Sequence, residues 1–136
     1  MDDMKLIEMA RGAAQQAYCP YSHFQVGAAL LTRDGNVFCG CNVENGSYGL
    51  TICAERTALG SAIAAGHRAF VAIAIVATRM ATPCGACRQV LAEFVSPSFR
   101  IMAAALSASE ACKVYTMAEL LPHTFVLDEL RTKENA

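Results

Sequence analysis

The sequence predicts an α/β fold: a three-layer α/β/α sandwich around a central mixed sheet of about five strands. Three observations carry this expectation. Apolar residues recur at helical spacing near the N-terminus, five short apolar runs have strand character, and helical patterns alternate with those runs. At 136 residues the chain is expected to form a single domain over 1–136, long enough to bury a real core.

The elements follow in order. Leu6, Ile7, Met9, Ala10, Ala13, Ala14 and Ala17 mark one face of a helix, with Asp2 and Asp3 suited to its positive end. That helix must stop before Pro20. Residues 24–31 form an apolar strand, Arg33-Asp34-Gly35-Asn36 a hairpin turn, and 37–41 the partner strand. Residues 42–51, rich in Asn, Gly and Ser, read as loop. A helix over 53–65 is then closed by Gly66. Residues 70–76 are apolar throughout, as expected of a strand covered on both faces. After a short loop at 78–83, a helix over 84–95 turns Val90, Leu91 and Phe94 inward. Strands at 100–106 and 113–115 and a short helix at 117–121 complete the pattern, and a polar, solvated tail begins at about Asp128.

Composition narrows the function. Hydrophobic residues make up 54% of the chain and charged ones 17%, an apolar excess that points to extra burial in a homo-oligomer. A net charge of −1, with no block of Lys or Arg, disfavours long nucleic acids as partners. The N-terminus opens acidic, unlike a signal peptide, and no apolar stretch is long enough to span a membrane. Seven cysteines in such a chain are expected as reduced thiols with a role in metal binding, and the protein is expected in the cytoplasm.

Cys53-Ala54-Glu55 and Pro83-Cys84-Gly85-Ala86-Cys87 supply the chemistry. Three thiolates would hold one metal, leaving a coordination position open to water, as a catalytic zinc site does. Cys84 and Cys87 are three apart at a helix start, and Cys53 begins another helix, so two helix N-termini would favour thiolates over thiols. Glu55 stands beside the ligands without being needed as one; it is the candidate general base, then general acid. Arg56 would donate to a thiolate and draw charge off the metal. Cys19, Cys39, Cys41 and Cys112 are expected as small buried hydrophobes, with Cys41 the best fourth ligand if the site is structural. His23 and His67 are expected in loops or at the surface.

These residues carry a family resemblance. The pattern Cys-x-Glu followed by Pro-Cys-x-x-Cys is that of the zinc deaminases. More narrowly, the chain resembles the small homotetrameric cytidine deaminases. The likeness runs through Pro20-Tyr21-Ser22, Phe24-Gln25-Val26-Gly27-Ala28-Ala29, Cys41-Asn42-Val43-Glu44-Asn45, Cys53-Ala54-Glu55-Arg56-Thr57-Ala58 and Pro83-Cys84-Gly85-Ala86-Cys87-Arg88-Gln89. The resemblance implies one Zn2+ per chain and a cytidine deaminase-like fold. It further implies that Asn42 and Glu44 bind ribose hydroxyls, that Phe24 packs on the pyrimidine, and that the Ala54 N–H helps hold the attacking oxygen. Phe125 would close a neighbouring subunit's pocket, with Tyr48 near a subunit boundary, in a homotetramer. Taken alone, Asn42 reads as a turn residue, Glu44 as a solvated loop charge and Phe125 as a packing residue. Departures from the family pattern lie at a shortened loop before Pro83 that lacks an acidic residue, at Cys19 and at Gly46.

The expected reaction is hydrolytic deamination of cytidine and deoxycytidine within pyrimidine salvage. Its rivals are a deaminase of another small aminopyrimidine nucleoside, such as a blasticidin-type antibiotic, and a non-catalytic structural zinc module. The module would need four protein ligands and would have no use for Glu55.

Overall fold

The computed structural model describes residues 1–107 and 111–127. The polar tail expected from Asp128 lies outside the described residues. Helix α1 (Asp3–Ala14) is followed by strands β1 (Val26–Thr32) and β2 (Val37–Cys41), then by a single 3-10 turn at Tyr48–Leu50. Helix α2 (Ala54–Ala64), strand β3 (Phe70–Ala77) and helix α3 (Gly85–Ala92) come next. Strands β4 (Arg100–Ala105) and β5 (Lys113–Thr116) and helix α4 (Met117–Leu120) complete the order.

The five strands form one mixed sheet in the order β2-β1-β3-β4-β5. β1 runs antiparallel to both β2 and β3, β3 is parallel to β4, and β4 is antiparallel to β5. The parallel pair requires a crossover, which α3 supplies. The strand that the sequence marks as doubly covered is central: every residue of β3 but Val71 is buried. On one face α1 sets Leu6, Ile7 and Ala10 against Ala29, Ala74, Val76 and Met102. On the other, α2 and α3 pack Ala58, Leu59, Ala62 and Leu91 against Leu30, Ile73, Ile75 and Ile101. The three-layer expectation is met.

Two glycines set how closely helices approach the sheet. A Cβ on Gly27 would lie 2.1 Å from the Ala10 carbonyl oxygen of α1. One on Gly40 would lie 2.4 Å from the Ala58 nitrogen of α2. Backbone on both sides leaves no side chain to yield, so only glycine fits.

Element ends differ from the sequence reading by a few residues, each for a local reason. α1 stops at Ala14, beyond which tighter bonds from Gln16 to Ala13 (3.0 Å) and Ala17 to Ala14 (3.2 Å) close the turn. β1 begins at Val26, two residues late, because side chains take the preceding backbone groups: Ser22 Oγ accepts from Phe24 N and Thr78 Oγ1 from Gln25 N. α3 ends at Ala92, where Phe94 N bonds back to Leu91 O in a tight turn (2.9 Å). Val90, Leu91 and Phe94 nevertheless face the core as expected.

Candidate active site

Cys53 and Cys84 are the N-cap residues of α2 and α3, both extended in backbone and neither capping with its side chain. Their sulfurs are therefore left free to converge. Cys87 lies one turn into α3 and is buried. Cys53 Sγ stands 4.0 Å from Cys84 Sγ, and Cys84 Sγ 3.5 Å from Cys87 Sγ. Three sulfurs at about 2.3 Å from a tetrahedral zinc are separated by roughly 3.8 Å. The spacing and the soft donor set both fit that ion. This is the one group of three potential metal ligands among the described residues.

The cluster is electrostatically tuned. The Cys53 thiol is drawn down to about 5, first by a hydrogen bond from Cys87 and then by Arg56. Cys87 is pushed up by the same bond to Cys53, by burial, and by the charge of Glu55. A cation entering the cluster therefore displaces protons. Arg56 Nη2 donates to Cys53 Sγ at 3.3 Å, as the sequence reading expected. Hydrogen bonding to Cys53 and Cys87 in turn holds the guanidinium charged. Arg56 Nε is buried with no hydrogen-bond partner among the described residues.

Glu55 is 5% exposed. Burial raises its carboxyl above the ordinary 4.5, and the charge of Cys53 raises it further, against the pull of its own backbone N–H. Such a group takes and gives protons more readily near neutrality than an exposed carboxylate. Thr57 locks this end of α2 in place, its hydroxyl bonded to the carbonyls of Cys53 (3.0 Å) and Cys41 (3.1 Å).

A cleft of about 350 Å³ opens above Cys53, Ala54, Glu55 and Cys84, with Phe24, Asn42 and Glu44 on its walls. Asn42 is buried and doubly bound: its Oδ1 accepts from Val26 N (2.9 Å) and its Nδ2 donates to Phe24 O (2.8 Å). One amide proton and one lone pair remain to it. Glu44 Oε1 accepts from the backbone N–H of Tyr21 (3.0 Å) and Ser22 (3.2 Å), and Oε2 from the Ser22 hydroxyl. Those bonds hold its carboxyl below the ordinary range. Nine of the residues picked out from the sequence thus meet in one place: the three cysteines, Ala54, Glu55, Arg56, Phe24, Asn42 and Glu44.

Two do not. Tyr48 is 76% exposed and lines a neighbouring hollow with Tyr21 and Asn45, while Phe125 is 68% exposed on the C-terminal segment. The sequence reading missed Ser22, Thr51 and Thr82, which also line the cleft. Only Ser22 carried a signal, in Pro20-Tyr21-Ser22. It also missed Thr78, whose hydroxyl meets Gln25 N at 2.9 Å in the loop that lacks an acidic residue. The remaining cysteines correct an expectation: Cys39 is exposed and Cys19, Cys41 and Cys112 are half-buried, because their positions fall at a sheet edge and in loops. Cys41 does not join the sulfur group and contributes its carbonyl to Thr57 instead. His23 is exposed and His67 lies in the loop between α2 and β3, as expected, the latter half-buried against the Phe38 ring at 5.0 Å.

Comparison with known proteins agrees with this geometry. The model of the cytidine and deoxycytidylate deaminase zinc-binding region matches residues 1–115. Cytidine deaminase of Sporosarcina psychrophila is 47% identical over 132 residues, covering 96% of either chain. The crystal structure of cytidine deaminase from Burkholderia pseudomallei has a TM-score of 0.87 at 50% identity, covering 92% of this chain and 100% of that one. Blasticidin-S deaminase of Bacillus cereus is more distant, 30% identical over 107 residues, covering 71% of this chain and 76% of the other. Three sulfurs with zinc spacing, a buried glutamate beside them and a match spanning most of the sequence lead to one assignment: the chain belongs to the zinc-binding cytidine and deoxycytidylate deaminase family.

Proposed function

We propose that this protein hydrolyses cytidine and deoxycytidine to uridine and deoxyuridine, releasing ammonia, with one Zn2+ per chain held by Cys53, Cys84 and Cys87. The observation that carries the reading is the position of Glu55, almost wholly buried beside three convergent sulfurs on the floor of a nucleoside-sized cleft. When bound, zinc lowers the pKa of water toward neutrality and so supplies the nucleophile. Glu55 accepts the proton that the water loses and passes it to N3 of the pyrimidine as the oxygen bonds to C4. A second proton, from the new hydroxyl on C4, travels by the same carboxylate to the exocyclic nitrogen. The C–N bond then breaks, ammonia leaves, and the oxygen remains as the uridine carbonyl.

The other residues bind and orient. Phe24 gives the pyrimidine a flat apolar wall. Asn42 offers its remaining amide proton, and Glu44 its remaining lone pairs, to the ribose hydroxyls. Their existing bonds keep both side chains in place, so little conformational freedom is lost on binding. The Ala54 N–H, in the first turn of α2 and without an intrahelical partner, steadies the attacking oxygen. Arg56 balances the excess charge of the three thiolates.

The assembly we propose is a homotetramer in which Phe125 and Tyr48 complete the pockets of neighbouring subunits. Their exposure, with that of Leu50 (66%) and Leu127 (59%), supports it, since so much apolar surface invites cover. We place the protein in the cytoplasm, in pyrimidine salvage. All seven cysteines are free thiols, and no helix among the described residues is long and apolar enough to cross a membrane.

The test is direct. Zinc-loaded protein is incubated with cytidine, deoxycytidine and a blasticidin-type nucleoside, and uridine and ammonia are measured. Conversion of the two plain nucleosides is expected; failure to release ammonia from either overturns the reading, and release from the antibiotic alone replaces it.

A further inference from the structure

The metal-binding motif Pro83-Cys84-Gly85-Ala86-Cys87 is followed by Arg88, an arginine to which the deamination chemistry gives no part. Its side chain is half-buried and makes three hydrogen bonds in three directions. Nε donates to the Pro83 carbonyl at 2.7 Å, Nη1 to the Leu120 carbonyl at 2.8 Å, and Nη2 to Thr82 Oγ1 at 2.9 Å. All three are at or below the usual N–H···O distance. None of the acceptors is a carboxylate, so the guanidinium serves here as a rigid fork and not as half of an ion pair.

Those acceptors matter by position. The Pro83 carbonyl belongs to the peptide that enters Cys84, and Arg88 N also donates to the Cys84 carbonyl at 3.0 Å. One residue thus grips both peptides that flank Cys84. Cys84 makes no side-chain cap of its own, so nothing within its side chain fixes that turn. Thr82 is a wall of the cleft, and Leu120 ends α4. The next residue, Gln89, donates from Nε2 to the Phe125 carbonyl at 3.3 Å.

We propose that Arg88 is a positioning residue for the metal centre: it locks the 82–84 turn so that Cys84 Sγ keeps its spacing to Cys53 and Cys87, and it ties that turn to the chain leading toward Phe125. The proposal rests on the zinc reading above. Arg88 differs from Arg56 in how it acts. Arg56 donates to a ligand sulfur and alters its charge, whereas Arg88 touches no sulfur and acts on where Cys84 sits. Loss of an outer partner of a metal ligand generally lowers metal affinity by about 10- to 100-fold.

The experiment measures zinc release into a chelator, followed by absorbance, for wild type, Arg88→Ala and Arg88→Lys, with thermal melts of zinc-loaded and zinc-stripped protein. Release is expected to quicken about tenfold or more in both variants, and the melting-temperature gain from zinc to shrink. Lysine keeps the charge but reaches only one of the three separated acceptors, so it should not rescue. Where an Arg88 variant fails to fold, Thr82→Val removes a single acceptor and should still quicken release by about two- to fivefold, the equivalent of one hydrogen bond. Wild-type release from folded variants overturns the proposal, as does a melting loss equal with and without zinc. A wild type that binds no zinc overturns the zinc reading as well, and is seen before any variant is made.

Discussion

At the scale of single residues, the proposed chemistry is concentrated on Glu55. It is buried, close to the sulfurs and not required to complete their tetrahedral set, so its role is separable from metal binding. Replacing Glu55 with Gln keeps shape and burial while removing the proton carrier. Turnover of cytidine should fall by about 10²–10⁴-fold or more, with zinc content, measured by atomic absorption, unchanged. Retention of substantial activity would show that the proton travels by another route. Cys84 with Cys87, and Cys53 with Glu55, were legible in the sequence as short-spaced motifs at two helix starts, whereas the convergence of the two motifs, 31 positions apart, comes from the fold. Asn42 and Glu44 were not legible from the residues alone. Their side chains are fixed by backbone groups of Phe24, Val26, Tyr21 and Ser22, some 16 to 23 positions away, and no local pattern encodes such bonds. Only the family likeness marked them, and nothing marked Thr78 or Arg88's three-way grip.

At the scale of elements, the hairpin turn, the glycine stop after α2 and the all-apolar β3 appear where turn chemistry and burial periodicity put them. Strand order is a different matter, because β1 pairs with β3 across the whole of α2 and no local signal reports that neighbour. The closeness of the layers is equally hidden until the helices are placed. Gly27→Ala forces a methyl group against α1 backbone and should destabilise the fold by about 3 kcal/mol or more, read as a lowered urea midpoint at unchanged slope. α1 is also pinned electrostatically, by a two-pronged contact from Arg100 of β4 to Asp3 at 2.9 and 3.1 Å. Hydrogen bonding to Arg100 holds the Asp3 carboxyl below its ordinary 3.8. A carboxyl depressed in the folded state stabilises it above the unfolded pKa, and that contribution fades as pH falls below 3.8 through the folded value. Both side chains are nearly half exposed, 43% for Arg100 and 46% for Asp3, so screening limits the pair to at most about 1 kcal/mol. Asp3→Asn should accordingly lower stability slightly at pH 7 and match wild type well below pH 3.8, with the gap at pH 7 narrowing in high salt. A gap that persisted in acid would mean that packing, and not charge, pins the helix end.

At the scale of the whole molecule, one chain builds the floor and near walls of the cleft but leaves its outer side open, and the aromatic side chains of Tyr48 and Phe125 are exposed and do not line it. If neighbours close each other's pockets, the particle in solution should have a mass of about 58 kDa, four chains of 14.5 kDa, by light scattering. Mass alone does not show that a pocket is shared, whereas complementation does. A Phe125→Ala chain keeps its own Glu55 and metal ligands but offers its neighbours no ring, so its oligomer should show a KM raised about tenfold, in line with the loss of a buried aromatic contact. A Glu55→Gln chain is inert yet carries an intact ring. When the two are unfolded together and reassembled, some pockets combine an active Glu55 with a neighbour's Phe125. Activity at low cytidine should then exceed the average of the two parent preparations. In a protein where Phe125 serves only its own chain, mixing creates no complete pocket and the activity stays at that average, which would return Phe125 to the role of a C-terminal packing residue.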